Sequence, residues 1–63
     1  MNKNEFITVT DTSGMLRYLN INHIVYYYHW RGATFIILST GKEMEVIETC
    51  DKIDDMIDEV TAK

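Results

Sequence analysis

His23-Ile24-Val25-Tyr26-Tyr27-Tyr28-His29-Trp30 holds four of the chain's seven aromatic residues within eight positions. β-Branched and aromatic side chains fit a pleated, half-buried surface, so this stretch predicts a strand. Alternation along a strand sets Ile24, Tyr26, Tyr28 and Trp30 on one face and Val25, Tyr27 and His29 on the other. Both faces are bulky and need cover, and what supplies that cover decides the architecture.

The segments on either side read as further strands. Glu5 to Thr10 alternates, with Ile7 and Val9 opposed to Phe6, Thr8 and Thr10. Asp11-Thr12-Ser13-Gly14 is turn chemistry: Asp and Ser bond nearby backbone amides, and Gly14 tolerates the positive φ that closes a hairpin. Met15 to Asn20 returns as a second strand, with Leu16 and Tyr18 opposed to Met15, Arg17 and Leu19. After the aromatic strand, Arg31-Gly32 predicts a hairpin tip. Thr34 to Leu38 is a fourth strand, and its run Phe35-Ile36-Ile37-Leu38 is apolar on both faces, as in a strand inside a sheet. Ser39-Thr40-Gly41-Lys42 turns the chain into a fifth strand, Glu43 to Ile47, with Met44 and Val46 facing inward and Glu43 and Glu45 facing water.

The period then changes. Cys50, Ile53, Met56, Ile57 and Val60 recur at three- and four-residue spacing, while Asp51, Asp54, Asp55, Asp58 and Glu59 occupy the other side, the pattern of an amphipathic helix. Thr49 is placed to cap it, and Asp51 lies in the first turn, where a negative charge favours the helix dipole. The prediction is an α+β domain: a five-stranded antiparallel β-meander with one C-terminal amphipathic helix packed on one face. A helix of about 12 residues is roughly 18 Å long, enough for one side of a small sheet and not two. The uncovered side then requires either strong curling or a second subunit.

Size supports the second option. A single domain of 63 residues buries only about 60% of the surface that its unfolded chain exposes. Disulfides, a metal or a partner usually supplement so small a core. Cys50 is the only cysteine, which excludes an internal disulfide, and one cysteine with two histidines cannot complete an ordinary four-ligand zinc site. Oligomerisation is the supplement left. No cofactor is expected.

Charge narrows the partners. A net charge of −4 and scattered basic residues, Lys3, Arg17, Arg31, Lys42, Lys52 and Lys63, oppose a general affinity for nucleic acid or anionic membrane. No segment approaches the roughly 18 unbroken apolar residues of a membrane span, and Met1 to Glu5 carries no apolar signal core. The sequence therefore predicts a cytoplasmic protein.

Chemical motifs resolve into structural features. Gly41-Lys42 lacks the glycine five residues earlier and the following hydroxyl of a phosphate loop, since Ile36 and Glu43 stand there. His23 and His29, six residues apart on one strand, are too distant to chelate one ion. Cys50 reads as a helix-face cysteine, and the helix carboxylates as a solvated face without the mid-loop glycine of a calcium turn. The aromatic strand could stack bases, but such surfaces also carry a positive groove, which is missing here.

The order Leu19-Asn20, Ile24, Thr34, Ile36, Leu38, Gly41-Lys42, Val46, Glu48-Thr49, Asp51 and Ile53 resembles the small flagellar FlbD or SwrD family. The interval from Ile24 to Thr34 is slightly longer than in that pattern, and the N-terminal hairpin carries other residues. The strand order is also similar to the first half of a LytTR DNA-binding domain, without the later stretch that makes most DNA contacts in that family. These resemblances imply a bacterial, cytoplasmic, non-enzymatic accessory protein and supply no catalytic residue. The expectation is a homodimer or higher homo-oligomer acting as an interaction module for an unidentified protein partner. Tyr26, Tyr27, Tyr28, Trp30 and Phe35 are its expected interaction surface. The competing expectation is a LytTR-like regulatory nucleic-acid-binding module.

Overall fold

A computed structural model describes residues 5–61. The expected lack of a signal core at positions 1–4, and Lys3 and Lys63, lie outside the described residues. Five antiparallel strands, β1 (Phe6–Thr10), β2 (Leu16–Asn20), β3 (Ile24–Trp30), β4 (Ala33–Leu38) and β5 (Glu43–Val46), precede one helix, α1 (Cys50–Thr61). A single 3-10 turn, Ile21–His23, links β2 to β3. The Asn20 side chain caps it by accepting from the Asn22 amide at 2.9 Å.

The strands divide into two sheets, β1-β2 and β3-β4-β5, instead of one continuous meander. The sheets meet where β1 runs out. Asp11 bridges to Val46, and the Ile47 amide donates to the Thr10 carbonyl at 3.0 Å. Glu48 tightens this seam, one carboxylate oxygen accepting from the Thr10 amide at 2.8 Å and the other from the Thr10 hydroxyl at 2.9 Å. The end of β1 is thus tied to the chain just before α1.

Local chemistry explains two of the hairpin turns and the start of the helix. Asp11 organises the first hairpin: one carboxylate oxygen accepts from the Ser13 amide (2.9 Å), the Ser13 hydroxyl (2.6 Å) and the Met15 amide (3.0 Å), and the other from Arg17 Nε (2.9 Å). The β3–β4 hairpin closes through two residues, Arg31 at φ 54° and Gly32 at φ 77°. Two successive positive φ values match the right-handed twist of the flanking strands, which is why a two-residue turn takes this form. Thr49 caps α1, its hydroxyl accepting from the Lys52 amide at 3.1 Å.

The core is Ile7, Val9, Leu19, Ile36, Val46 and Ile53, with Ile21, Ile24, Tyr27, Leu38, Met44, Met56, Ile57 and Val60 packed around it. One sheet contributes Ile7, Val9 and Leu19, the other Ile36 and Val46, and α1 contributes Ile53. Complete burial of a side chain such as Ile36 or Ile53 contributes about 1.5–3 kcal/mol. The six residues draw on both sheets and the helix, so none of these elements buries its apolar face alone.

One departure from simple alternation fixes which residues of β3 face the core. The β3–β4 register shifts between Ile24 and Tyr26. An extra residue in a strand reverses the facing of what precedes it. Ile24 and Tyr27 therefore both pack on the core, opposite Leu38 and Ile36, whereas strict alternation puts Ile24 with Tyr26 and Tyr28.

Candidate functional site

With Ile36 buried, β4 turns Phe35 and Ile37 to the other side of its sheet, the side away from the core. Their cross-strand partners are Tyr28 and Tyr26 on β3 and Glu45 and Glu43 on β5. Directly opposed residues share a face. Tyr26, Tyr28 and Trp30, which alternation along one strand sets on one face, consequently come together with Phe35 on the outer face, with Ile37 beside them. Tyr27 does not join them; it is half-buried on the core face, and its hydroxyl donates a short hydrogen bond to Asp54 of α1.

The outer aromatics form an ordered array. Tyr28 stacks on Phe35 with ring centroids 5.3 Å apart and planes 24° from parallel, and Tyr26 sits 6.0 Å from Tyr28. The Tyr28 hydroxyl donates to Glu43 at 2.5 Å, reaching diagonally across β4 and fixing its ring. At the hairpin tip, the Arg31 guanidinium lies 4.8 Å from the centre of the Trp30 ring. One stacked pair, one tilted pair and a cation over an indole face hold these rings in place without a second layer. Trp30 remains 56% exposed, Tyr26 54% and Tyr28 37%, so the array is a presented surface.

Its electrostatics are mixed. β3 carries no Asp, Glu, Lys or Arg, whereas the β5 edge of the same face carries Glu43 and Glu45. The hydrogen bond to Glu43 raises the Tyr28 pKa, because the carboxylate accepts a proton that ionisation would remove. On the core side, the Asp54 hydrogen bond, aided by partial burial and nearby negative charge, pushes Tyr27 up to about 12. In the first hairpin the Ser13 hydroxyl, then Arg17 and the Met15 amide, hold the Asp11 carboxyl well below the usual carboxylate range.

A second apolar surface lies on the β1–β2 hairpin, where Phe6, Leu16 and Tyr18 are exposed on the side opposite Ile7, Val9 and Leu19. Its signal in the sequence was alternation with apolar residues at both parities, weaker than the aromatic run. Cys50 is half-buried at the start of α1, and His23 Nδ1 lies 3.0 Å from the Ser39 hydroxyl. Among the described residues no group of three or more His, Cys, Asp and Glu is arranged to hold a metal ion. No described helix is long and apolar enough to cross a membrane. No protein-family model matches the chain, and neither does any curated protein or solved structure.

Proposed function

We propose that this chain is a non-enzymatic interaction module that works as a homo-oligomer, with strand β3 and the aromatic residues it brings together as the self-association surface. The observation carrying this reading is the array of Tyr26, Tyr28, Trp30 and Phe35 on the sheet face away from α1. Clustered aromatics are the residues that dominate binding energy at protein interfaces. Tyr27 belongs to the internal packing in this account and not to the contact surface. The FlbD/SwrD-like order of strands and turns supports an accessory role in the bacterial cytoplasm.

Solution mass measured by light scattering over a concentration series tests the proposal. The expected result is a mass that rises from one chain to two. A mass that stays at one chain throughout refutes it. A regulatory nucleic-acid-binding module is the second reading, favoured by Arg31 lying over Trp30 at an exposed hairpin tip, a pairing that can also stack bases. Glu43 and Glu45 on the same face weigh against it. It requires binding to single-stranded DNA or RNA that weakens as salt rises, and no binding at low salt eliminates it.

A further inference from the structure

Among the described residues, β3 is an edge strand, hydrogen-bonded to β4 alone in the order β3-β4-β5. Edge strands expose a row of unpaired N–H and C=O groups, and proteins usually blunt them with short length, charge or proline. β3 has none of these three, and the bulge that it does carry lies at its start, between Ile24 and Tyr26: its seven residues, Ile24–Trp30, make it the longest described strand and include no proline and no Lys, Arg, Asp or Glu.

The turn fixes which groups point outward. In a two-residue hairpin the flanking pair, here Trp30 and Ala33, is hydrogen-bonded, and bonded and non-bonded pairs alternate from it. Tyr28–Phe35 and Tyr26–Ile37 are thus bonded pairs, whereas the main-chain groups of Tyr27 and His29 face away from β4. The rest of β4 agrees with this parity: the Leu38 amide bonds Lys42 on the β5 side at 2.9 Å, and the Ser39 amide bonds His23 on the β3 side at 2.7 Å. Among the described residues, no hydrogen bond outside the β3–β4 ladder reaches the main chain of Tyr27 or His29.

Resting on the proposed self-association, we infer that a second copy of this chain docks on the β3 edge, β3 against β3 in antiparallel register about a two-fold axis at Tyr28. The register shift between Ile24 and Tyr26 leaves Tyr26–Trp30 as the regular part of the strand, and Tyr28 is its midpoint. About that axis Tyr27 of each copy exchanges both main-chain hydrogen bonds with His29 of the other. The two Tyr28 residues form a non-bonded pair, the kind with the closer side chains. The stack of Phe35 on Tyr28 then continues across the seam into the same stack of the second copy.

Self-association names the occupant, and charge selects the geometry. Two copies at −4 each repel, so they meet most favourably through an element without formal charge of its own, and β3 is such an element. Packing the aromatic faces of two sheets together would bring Glu43 and Glu45 within about 10 Å of the opposing sheet and remove them from water, at a cost of several kcal/mol for each ion left unpaired. In the edge-paired dimer the two β5 strands are separated by five strand spacings, about 24 Å, well beyond the roughly 8 Å Debye length.

Amide hydrogen exchange, read residue by residue by NMR on the full chain, tests the inference. The Tyr28→Lys variant, which puts like charges together at the axis, supplies the monomer reference. Where at least nine-tenths of the parent is dimeric, the Tyr27 and His29 amides should exchange at least about tenfold slower than in that reference, because exchange then proceeds through the residual monomer. The Tyr26 and Tyr28 amides, inside the β3–β4 ladder, should be protected in both. A parent dimer whose Tyr27 and His29 amides exchange as fast as the monomer's overturns edge pairing and leaves self-association standing. A parent that is monomeric at every concentration overturns both.

Discussion

Replacing Glu48 by alanine should be among the most costly changes outside the core. Its carboxylate accepts from both the amide and the hydroxyl of Thr10, at 2.8 and 2.9 Å. With the Ile47–Thr10 main-chain bond and the Asp11–Val46 bridge, these contacts join the two sheets. Hydrogen bonds to a charged group contribute about 1.5–3 kcal/mol each, but this site is only part-buried and water can reach an abandoned amide. Taking about 1 kcal/mol for each bond gives a loss of about 2 kcal/mol for Glu48→Ala. For a domain of this size that corresponds to a Tm lower by about 8–16 °C. Glu48→Gln keeps both contacts, its carbonyl accepting from the amide and its NH2 donating to the hydroxyl, and loses only the charge. It should cost about half as much. Glu45→Ala on the exposed outer face is the control, expected within about 0.5 kcal/mol of the parent. Urea unfolding at one fixed protein concentration reads all four proteins, since self-association adds stability by mass action. A Glu48→Ala variant as stable as Glu45→Ala would refute the view that this seam holds the sheets together.

Three further outcomes follow from local geometry. Gly32→Ala should lose about 1–2 kcal/mol in the same assay although nothing lies within 4 Å of the added carbon, because the cost is the φ of 77° alone. Asp11 has a depressed pKa, so its stabilisation is complete above the ordinary carboxylate value near pH 4 and is lost as pH falls from there toward its folded value. The stability gap between the parent and Asp11→Asn should accordingly shrink when unfolding is compared at neutral pH and below pH 4. Tyr27 has a raised pKa, so its contribution is complete below the ordinary tyrosine value near 10 and is lost as pH rises toward about 12. Tyr27→Phe should cost at most about 1 kcal/mol at neutral pH and should abolish the most alkaline of the tyrosine transitions seen in ultraviolet titration.

Much of the fold was legible because period and turn chemistry act locally. The Cys50 start of α1 follows from a three- and four-residue apolar period behind a threonine cap, and the observed helix, Cys50–Thr61, buries Ile53 on that stripe. The β4 strand announced itself by apolar residues at both parities, and its two faces are indeed different environments: Ile36 in the core, Phe35 and Ile37 among the outer aromatics. The facing of Ile24 was not legible, because a bulge adds a residue to a strand without any compositional mark. Nor was the division into two sheets. The link between β1 and β5 rests on one bridge and a few hydrogen bonds around Thr10, contacts between positions nearly forty residues apart that leave no periodic trace.

The aromatic surface shows the same split. Alternation placed Tyr26, Tyr28 and Trp30 on one face, and it survives from Tyr26 onward; Phe35 joins them through its cross-strand pairing with Tyr28. Tyr27 was included on chemistry, and its opposite parity sends it to Asp54 and the core instead. The outward Phe6, Leu16 and Tyr18 of the first hairpin form a rival apolar surface that the aromatic run overshadowed.

Sedimentation velocity on the parent, Tyr28→Lys and Tyr18→Lys, from about 1 µM to about 1 mM, tests the central claim most directly. The parent and Tyr18→Lys should pass from monomer to dimer with rising concentration, while Tyr28→Lys stays monomeric with an unchanged circular dichroism spectrum. A Tyr28→Lys protein that dimerises like the parent, or a Tyr18→Lys protein that alone remains monomeric, would place self-association elsewhere and contradict the account.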